Sequence, residues 1–174
     1  MKRIIAAVAV LMLTSTAFSQ KFAYVDMEYI LGKMPQYKEA QNQLDKIAAG
    51  WQKEVEAKMK TVDDLYKQFQ AEQVLMTEQM KQQKMKDIEA KEKDVKEFQK
   101  AKFGPSGDLF KKRQELIKPI QDKIYDEIQK YAIAKAYDFI FDRSSGPTML
   151  YAGDKFNKSD DILSALGISL KAGQ

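Results

Sequence analysis

The chain has 174 residues, 44% of them hydrophobic and 31% charged, with 29 basic and 25 acidic side chains and a net charge of +4. This is a foldable composition of about one domain's length, neither disordered nor collagen-like. Cysteine and histidine are both absent, which excludes disulfides, thiolate nucleophiles, Ser-His-Asp and Cys-His hydrolases, and nearly every zinc or transition-metal site.

No GxxxxGK[ST] or GxGxxG phosphate loop occurs. The acidic neighbours Asp63-Asp64 and Asp160-Asp161 point about 100° apart on a helix, so they read as a solvated face and a helix cap. The expectation is a protein that is not an enzyme and needs no cofactor or metal.

The first residues read as an address. Lys2 and Arg3 precede an apolar run from Ile4 to Leu13, and Ala17-Phe18-Ser19 supplies the small residues a signal peptidase reads. Ten apolar residues would rise only about 15 Å as a helix, about half a bilayer core. Residues 1–19 are therefore expected to be a signal peptide cleaved after Ser19, which places the protein in the periplasm. Cleavage would leave 27 basic against 25 acidic residues, a charge of +2. That balance does not argue for a nucleic-acid partner.

Phe22 to Val25 predicts a strand. Asp26 is suited to cap a short helix from Met27 to Lys33, which Pro35 interrupts. From about Gln36 the chain is rich in Lys, Glu, Gln, Ala and Met and has no proline before Pro105, so it is helix-prone. With Val55 at a heptad a position, Leu44, Ala48, Trp51, Val55, Val62, Leu65, Phe69 and Met76 fall on one a/d seam, broken only by Lys58 and Glu72. Residues 78–102 carry Met80, Met85, Ile88, Val95 and Phe98 without an unbroken seam. Asp87 with Lys91, Glu89 with Lys93, and Glu92 with Lys96 are spaced to pair one turn apart. Thr77 is the predicted N-cap of this second helix, after a bend at Val74-Leu75-Met76.

Phe103-Gly104-Pro105-Ser106-Gly107 breaks the helix. Asp108 opens another, with Leu109, Leu116, Ile117, Ile120, Ile124, Ile128 and Tyr131 at helical spacing; Pro119 inside it should kink it or loosen a turn, because its ring removes one backbone donor. This helix should fade near Ala136. Asp138 to Asp142 predicts a strand, and Thr148 to Tyr151 another, joined as a β-hairpin. Ser159 or Asp160 starts a last helix, stopped by Gly167.

The predicted fold is α+β and mostly α: a long antiparallel, coiled-coil-like helical hairpin projecting from a small β body. Residues 20–35 and 108–170 make the body, residues 36–107 the arm with its tip near 74–78, and residues 171–174 a frayed end. Three short strands with open edges cannot close a core alone. A homo-oligomer is expected, joined through Phe22, Tyr24, Val25, Phe139, Ile140, Phe141, Leu150 and Tyr151. On the arm, Val62, Phe69, Met76, Met80, Met85, Ile88, Val95 and Phe98 are candidate contact residues. Each faces either a partner or the paired helix. Methionines suit surfaces that accept many partners. The eight lysines and five acids of residues 81–102 leave a local surplus of +3, which suits lipid headgroups and ordinary solubility alike.

The first strand KFAYVDMEYIL, the Lys/Gln/Glu-rich hairpin and the return block LIKPIQDKIYDEI…YDFIFD together resemble the Skp/OmpH family of periplasmic chaperones, particularly its Bacteroidetes-type members. The resemblance implies a homotrimer with a small central β-barrel and helical tentacles around a cavity. It implies an ATP-independent holdase that binds unfolded outer-membrane β-barrel proteins and prevents their aggregation. Two features depart from the pattern. Proteobacterial members are markedly basic, so any contact with anionic lipid or lipopolysaccharide is expected to be weak here, and the FGPSG break interrupts an arm that is continuous in them. The alternative from another class is a structural coiled-coil adaptor or spacer that docks one defined envelope partner.

Overall fold

The computed structural model describes residues 20–146 and 149–169; the expected signal peptide and the expected frayed end lie outside them. The elements in order are β1 (Phe22–Val25), α1 (Met27–Lys33), α2 (Pro35–Glu72), a 3-10 turn (Gln73–Leu75), α3 (Glu78–Phe103), α4 (Asp108–Lys135), β2 (Phe139–Asp142), a second 3-10 turn (Asp154–Phe156) and α5 (Ser159–Ala165). They fall into two compact units. One comprises the described residues 20–30 and 126–169, the other residues 31–125.

In the first unit, β1 and β2 pair in parallel, with Phe22 opposite Phe139 and Tyr24 opposite Phe141. A parallel pair cannot be closed by a tight turn, and here everything between the two strands serves as the crossover. Side-chain alternation puts Phe22, Tyr24, Phe139 and Phe141 on one face and Ala23, Val25, Ile140 and Asp142 on the other. Ala23, Tyr24, Val25, Met27, Ile30, Ile162 and Leu163 are buried. Asp26 caps α1 as expected, its Oδ1 accepting from the Tyr29 amide at 2.8 Å. The Asp26 amide donates to Ser159 Oγ at 2.9 Å, which ties the start of α1 to the start of α5. Gly167 closes α5 at φ +76°, the left-handed conformation that a helix stop requires.

The expected β-hairpin between 138–142 and 148–151 does not form. Thr148 lies outside the described residues, and Met149, Leu150 and Tyr151 are not in a strand. The other side of β1 is taken by Asn157, which bridges to Tyr24, and the Lys158 amide donates to the Tyr24 carbonyl at 2.8 Å. After β2 the chain is turned by Asp142, whose carboxylate accepts from the Ser144 amide at 2.9 Å and from Ser145 Oγ at 2.7 Å. Strand propensity depends on a pleated surface to pack against, and Leu150 and Tyr151 have none.

In the second unit, α2 has 38 residues and spans about 57 Å. Pro35 sits at its first turn, where no amide donor is missed. The heptad seam is real. Leu44 and Val55 are buried, Ala48, Trp51, Val62, Leu65, Phe69 and Met76 are half-buried, and the polar exception Lys58 is exposed. Helix α3 returns antiparallel to α2. Trp51 meets Phe103 edge-on at 6.3 Å, Lys58 Nζ lies 5.2 Å from the Phe98 ring centre, and Tyr66 donates to Glu92 at 3.1 Å. As one number rises, the other falls. Thr77 caps α3, its side chain accepting from the Met80 amide at 3.3 Å.

The lysine pairs differ from expectation. Lys93 reaches Glu97 at 3.7 Å, and Glu92 serves Tyr66 in place of Lys96. Exposed pairs one turn apart are nearly equal in energy, so spacing alone does not choose among them. Beyond the break, α4 runs through Pro119 without interruption. Its first half packs on the start of α2, where Ala40, Leu44 and Ile117 are buried among Tyr37, Leu109, Leu116 and Ile120.

Candidate functional site

Two surfaces stand out, one on each unit. On the sheet unit the strand register stacks three rings. Phe22 and Phe139 lie 5.8 Å apart at 13°, Phe139 and Phe141 6.2 Å apart at 18°, and Phe22 and Phe141 6.5 Å apart at 23°. Offset stacking of this kind is favourable beyond the area it buries, yet Phe22, Phe139 and Phe141 remain 42%, 52% and 48% exposed. Next to them is an open groove of about 340 Å³ lined by Phe22, Tyr24, Phe141, Met149, Tyr151 and Phe156. No strand among the described residues covers the outer edge of β2.

Of the residues expected at a subunit contact, Phe22, Phe139, Phe141, Leu150 and Tyr151 are exposed and Ile140 is half-buried. Tyr24 and Val25 are 1% and 2% exposed, packed inside their own protomer. The Tyr24 hydroxyl is buried without a hydrogen-bond partner among the described residues. Phe156, 42% exposed, belongs to the same apolar surface. It was not legible in the sequence, because it sits in a short turn between Asp154 and Asn157.

Charge around this unit is anchored. Burial, and then the hydrogen bond its hydroxyl donates to Asp161 at 3.0 Å, push Tyr131 up to about 12. Burial of Asp142 favours its neutral form. Donors from Ser145, Ser144 and the Met27 amide outweigh that, and its carboxyl is held below the ordinary value.

On the helical unit, apolar side chains are exposed in a scattered line. Met59 is 57% exposed and Met80 52%, while at the turn Val74 and Leu75 reach 87% and 90%. Between α2 and α3 lies a shallow groove of about 270 Å³, with Met59, Val62 and Val95 as its apolar part and Glu92, Lys96 and Gln99 beside them. The candidate contact residues divide accordingly. Met80 is exposed, Val62, Phe69, Met76, Met85 and Phe98 are half-buried, and Ile88 and Val95, at 1% and 9%, belong to the interior of the hairpin. Val74 and Leu75 are legible in the sequence only as the bend. Two adjacent large aliphatic residues in a turn were the signal.

A long antiparallel helical hairpin inserted as the crossover of a small parallel sheet, with apolar side chains left exposed on both, defines the class. Residues 21–166 match the family described as "Outer membrane protein (OmpH-like)", and the chain belongs to that family. No curated protein is matched by the sequence. Among solved structures, a Caulobacter crescentus CB15 protein named as an OmpH-like outer membrane chaperone has a TM-score of 0.69 at 14% identity, over 90% of this chain and 89% of that one. At that identity the likeness shows a shared fold. Among the described residues no helix is long and apolar enough to cross a membrane.

Proposed function

We propose that this protein is an ATP-independent holdase chaperone of the periplasm, acting on unfolded outer-membrane β-barrel proteins as a homotrimer. The observation that carries the reading is the scatter of exposed apolar side chains (Met59, Val74, Leu75, Met80) along a hairpin rich in exposed charged and polar residues. A strand of an unfolded barrel protein exposes apolar residues at every second position. Scattered sites give many weak contacts, which hold a chain without dictating its conformation and release it without ATP. Sequestration keeps the strands of one guest from those of another.

The half-buried Val62, Phe69, Met76, Met85 and Phe98 border these contacts, and Ile88 and Val95 support them from inside the hairpin. The stacked Phe22, Phe139 and Phe141, with Ile140, Leu150 and Tyr151, are the proposed contact between copies, and Tyr24 and Val25 stiffen the strand that carries it. An open strand edge beside an apolar face favours such closure. Any contact with anionic lipid is weak and secondary.

The test is light scattering of an outer-membrane barrel protein diluted from urea, with and without the purified protein. Suppressed scattering at a molar excess of trimer is expected, and undiminished aggregation rejects the reading. A second reading, an adaptor that docks one defined partner, is favoured by the concentration of exposure at Val74 and Leu75. Replacing Met76, Met80 and Met85 with Gln cripples an adaptor bound at the tip but only weakens a distributed holdase.

A further inference from the structure

A Gly-Pro-Ser-Gly string between two helices is ordinarily a place where a chain flexes. Here it is closed tightly. The Gly104 amide donates to the Lys100 carbonyl at 2.9 Å, the Gly107 amide to the Gly104 carbonyl at 2.8 Å, and the Lys111 amide to the Gly107 carbonyl at 3.1 Å. Gly107 is buried. A Cβ there would lie 2.8 Å from the Ala101 carbonyl oxygen and 2.9 Å from that of Lys102, and one on Gly104 would run into the Lys100 carbonyl oxygen. Backbone fills the space that a side chain would need.

Lys102 ties three helices at this point. Its Nζ lies 2.7 Å from Asp108 Oδ2 in the first turn of α4. The same ammonium lies 4.8 Å from the Trp51 ring centre on α2 and 5.6 Å from that of Phe98 on α3. Lys111 adds a second, longer approach to Asp108 at 3.8 Å. The Lys102 side chain is only 24% exposed, so its interactions are less screened than those of a fully exposed lysine. Asp108 is held below the ordinary carboxylate value, chiefly by its hydrogen bond from Lys102.

Helix α2 runs unbroken past the joint, with Trp51 against Phe103. On one side of the joint α3 is the partner of α2, through Trp51, Val62 and Tyr66; on the other α4 takes over, through Ala40 and Leu44. Bending at 104–107 would have to bend α2 as well, or pull Lys102 and Phe103 off Trp51.

We infer that residues 104–107 form a locked elbow, not a hinge, in which Lys102 positions α4 by bridging Asp108 and Trp51 so that the helical hairpin and the first half of α4 move as one lever. The inference does not rest on the chaperone reading, and its test needs no client. The lock passes a load on the hairpin to α4 instead of absorbing it at the break.

Because the chain has no native cysteine, spin labels on Asp94→Cys and Arg113→Cys, both at exposed positions, report the α3–α4 distance in the full chain. A single narrow distance is expected. Lys102→Met keeps the aliphatic stem and removes the charge, and Asp108→Asn removes the partner charge. Each is expected to broaden the distance distribution and to speed hydrogen exchange at the Gly107 and Lys111 amides about tenfold. Lys102→Arg, which keeps both charge and ring contact, is expected to stay narrow. Should Lys102→Met fail to fold in a thermal melt, Asp108→Asn and Lys102→Arg carry the comparison. A broad distribution in the parent protein, or an unchanged width in either charge-removing variant that folds, overturns the inference.

Discussion

Phe22 stacks on Phe139 at 5.8 Å with the rings 13° from parallel, joining two strands that stand at opposite ends of the chain. The stack is a product of register: a shift of one residue would turn these rings to the other face of the sheet. Half of each ring stays exposed, and no strand among the described residues covers the edge of β2 beside them.

Replacing Phe139 with Ser should weaken self-association. Burying the exposed half of the Phe139 ring against a second copy is worth about 1–1.5 kcal/mol, so the dissociation constant should rise about tenfold. Sedimentation velocity across a dilution series reads this directly. An oligomer as tight as the parent's would show that the ring stack lies outside the subunit contact.

Val74 and Leu75 make no packing that stability depends on. Changing both to Gln should leave the thermal midpoint nearly unchanged, since exposed substitutions fall within about 0.5 kcal/mol. Suppression of client aggregation should nonetheless fall. If the double variant holds an unfolded barrel protein as well as the parent does, the tip takes no part in binding.

Ile88 should behave in the opposite way. It is 1% exposed, and truncation to Ala removes buried methyl groups and leaves a cavity costing about 2–4 kcal/mol. Circular dichroism should show an earlier melt of the helical signal. A midpoint equal to the parent's would mean that α2 and α3 are not packed at this level.

The sheet unit should carry a pH signature at both extremes. The carboxyl of Asp142 is lower when folded than its reference of 3.8. Its contribution is therefore present above that value and lost as the pH falls through the folded pKa, and Asp142→Asn should flatten the acid limb of a stability profile. Tyr131 is raised from 10.0 to about 12. Its contribution is present below 10.0 and lost as the pH rises through about 12, so Tyr131→Phe should flatten the alkaline limb. Chemical denaturation across the pH range gives both limbs, and a wild-type profile in either variant would contradict the assignment.

Local signals in the sequence were read well where the physics is local. Asp26, Thr77 and Gly167 mark helix ends because one side-chain oxygen or one left-handed residue settles them within a few positions. The α2 seam was legible because apolar spacing reports a helix face whatever lies against it. The candidate contact residues were less so. On the sequence Ile88 and Val95 could face a partner or the paired helix, and only the packing of α3 on α2 places them inside the hairpin. Val74 and Leu75 are the most exposed of the hairpin's large apolar side chains, and they sit in the 3-10 turn, which buries none of its residues.

Composition, capping and periodicity by themselves determined an α-rich chain with strands at its two ends, a long helical reversal with its turn near Thr77, and no thiol or imidazole chemistry. Those are properties of single residues or of one helix face. Tertiary structure decided that β1 pairs with β2 in parallel and takes Asn157 on its other side, and that residues 149–151 form no strand beside β2. It also decided that Tyr24 and Val25 are interior, and that the FGPSG break is clamped by Lys102. Each of these depends on which distant segment packs best at a shared edge or space, and no local spacing encodes that competition.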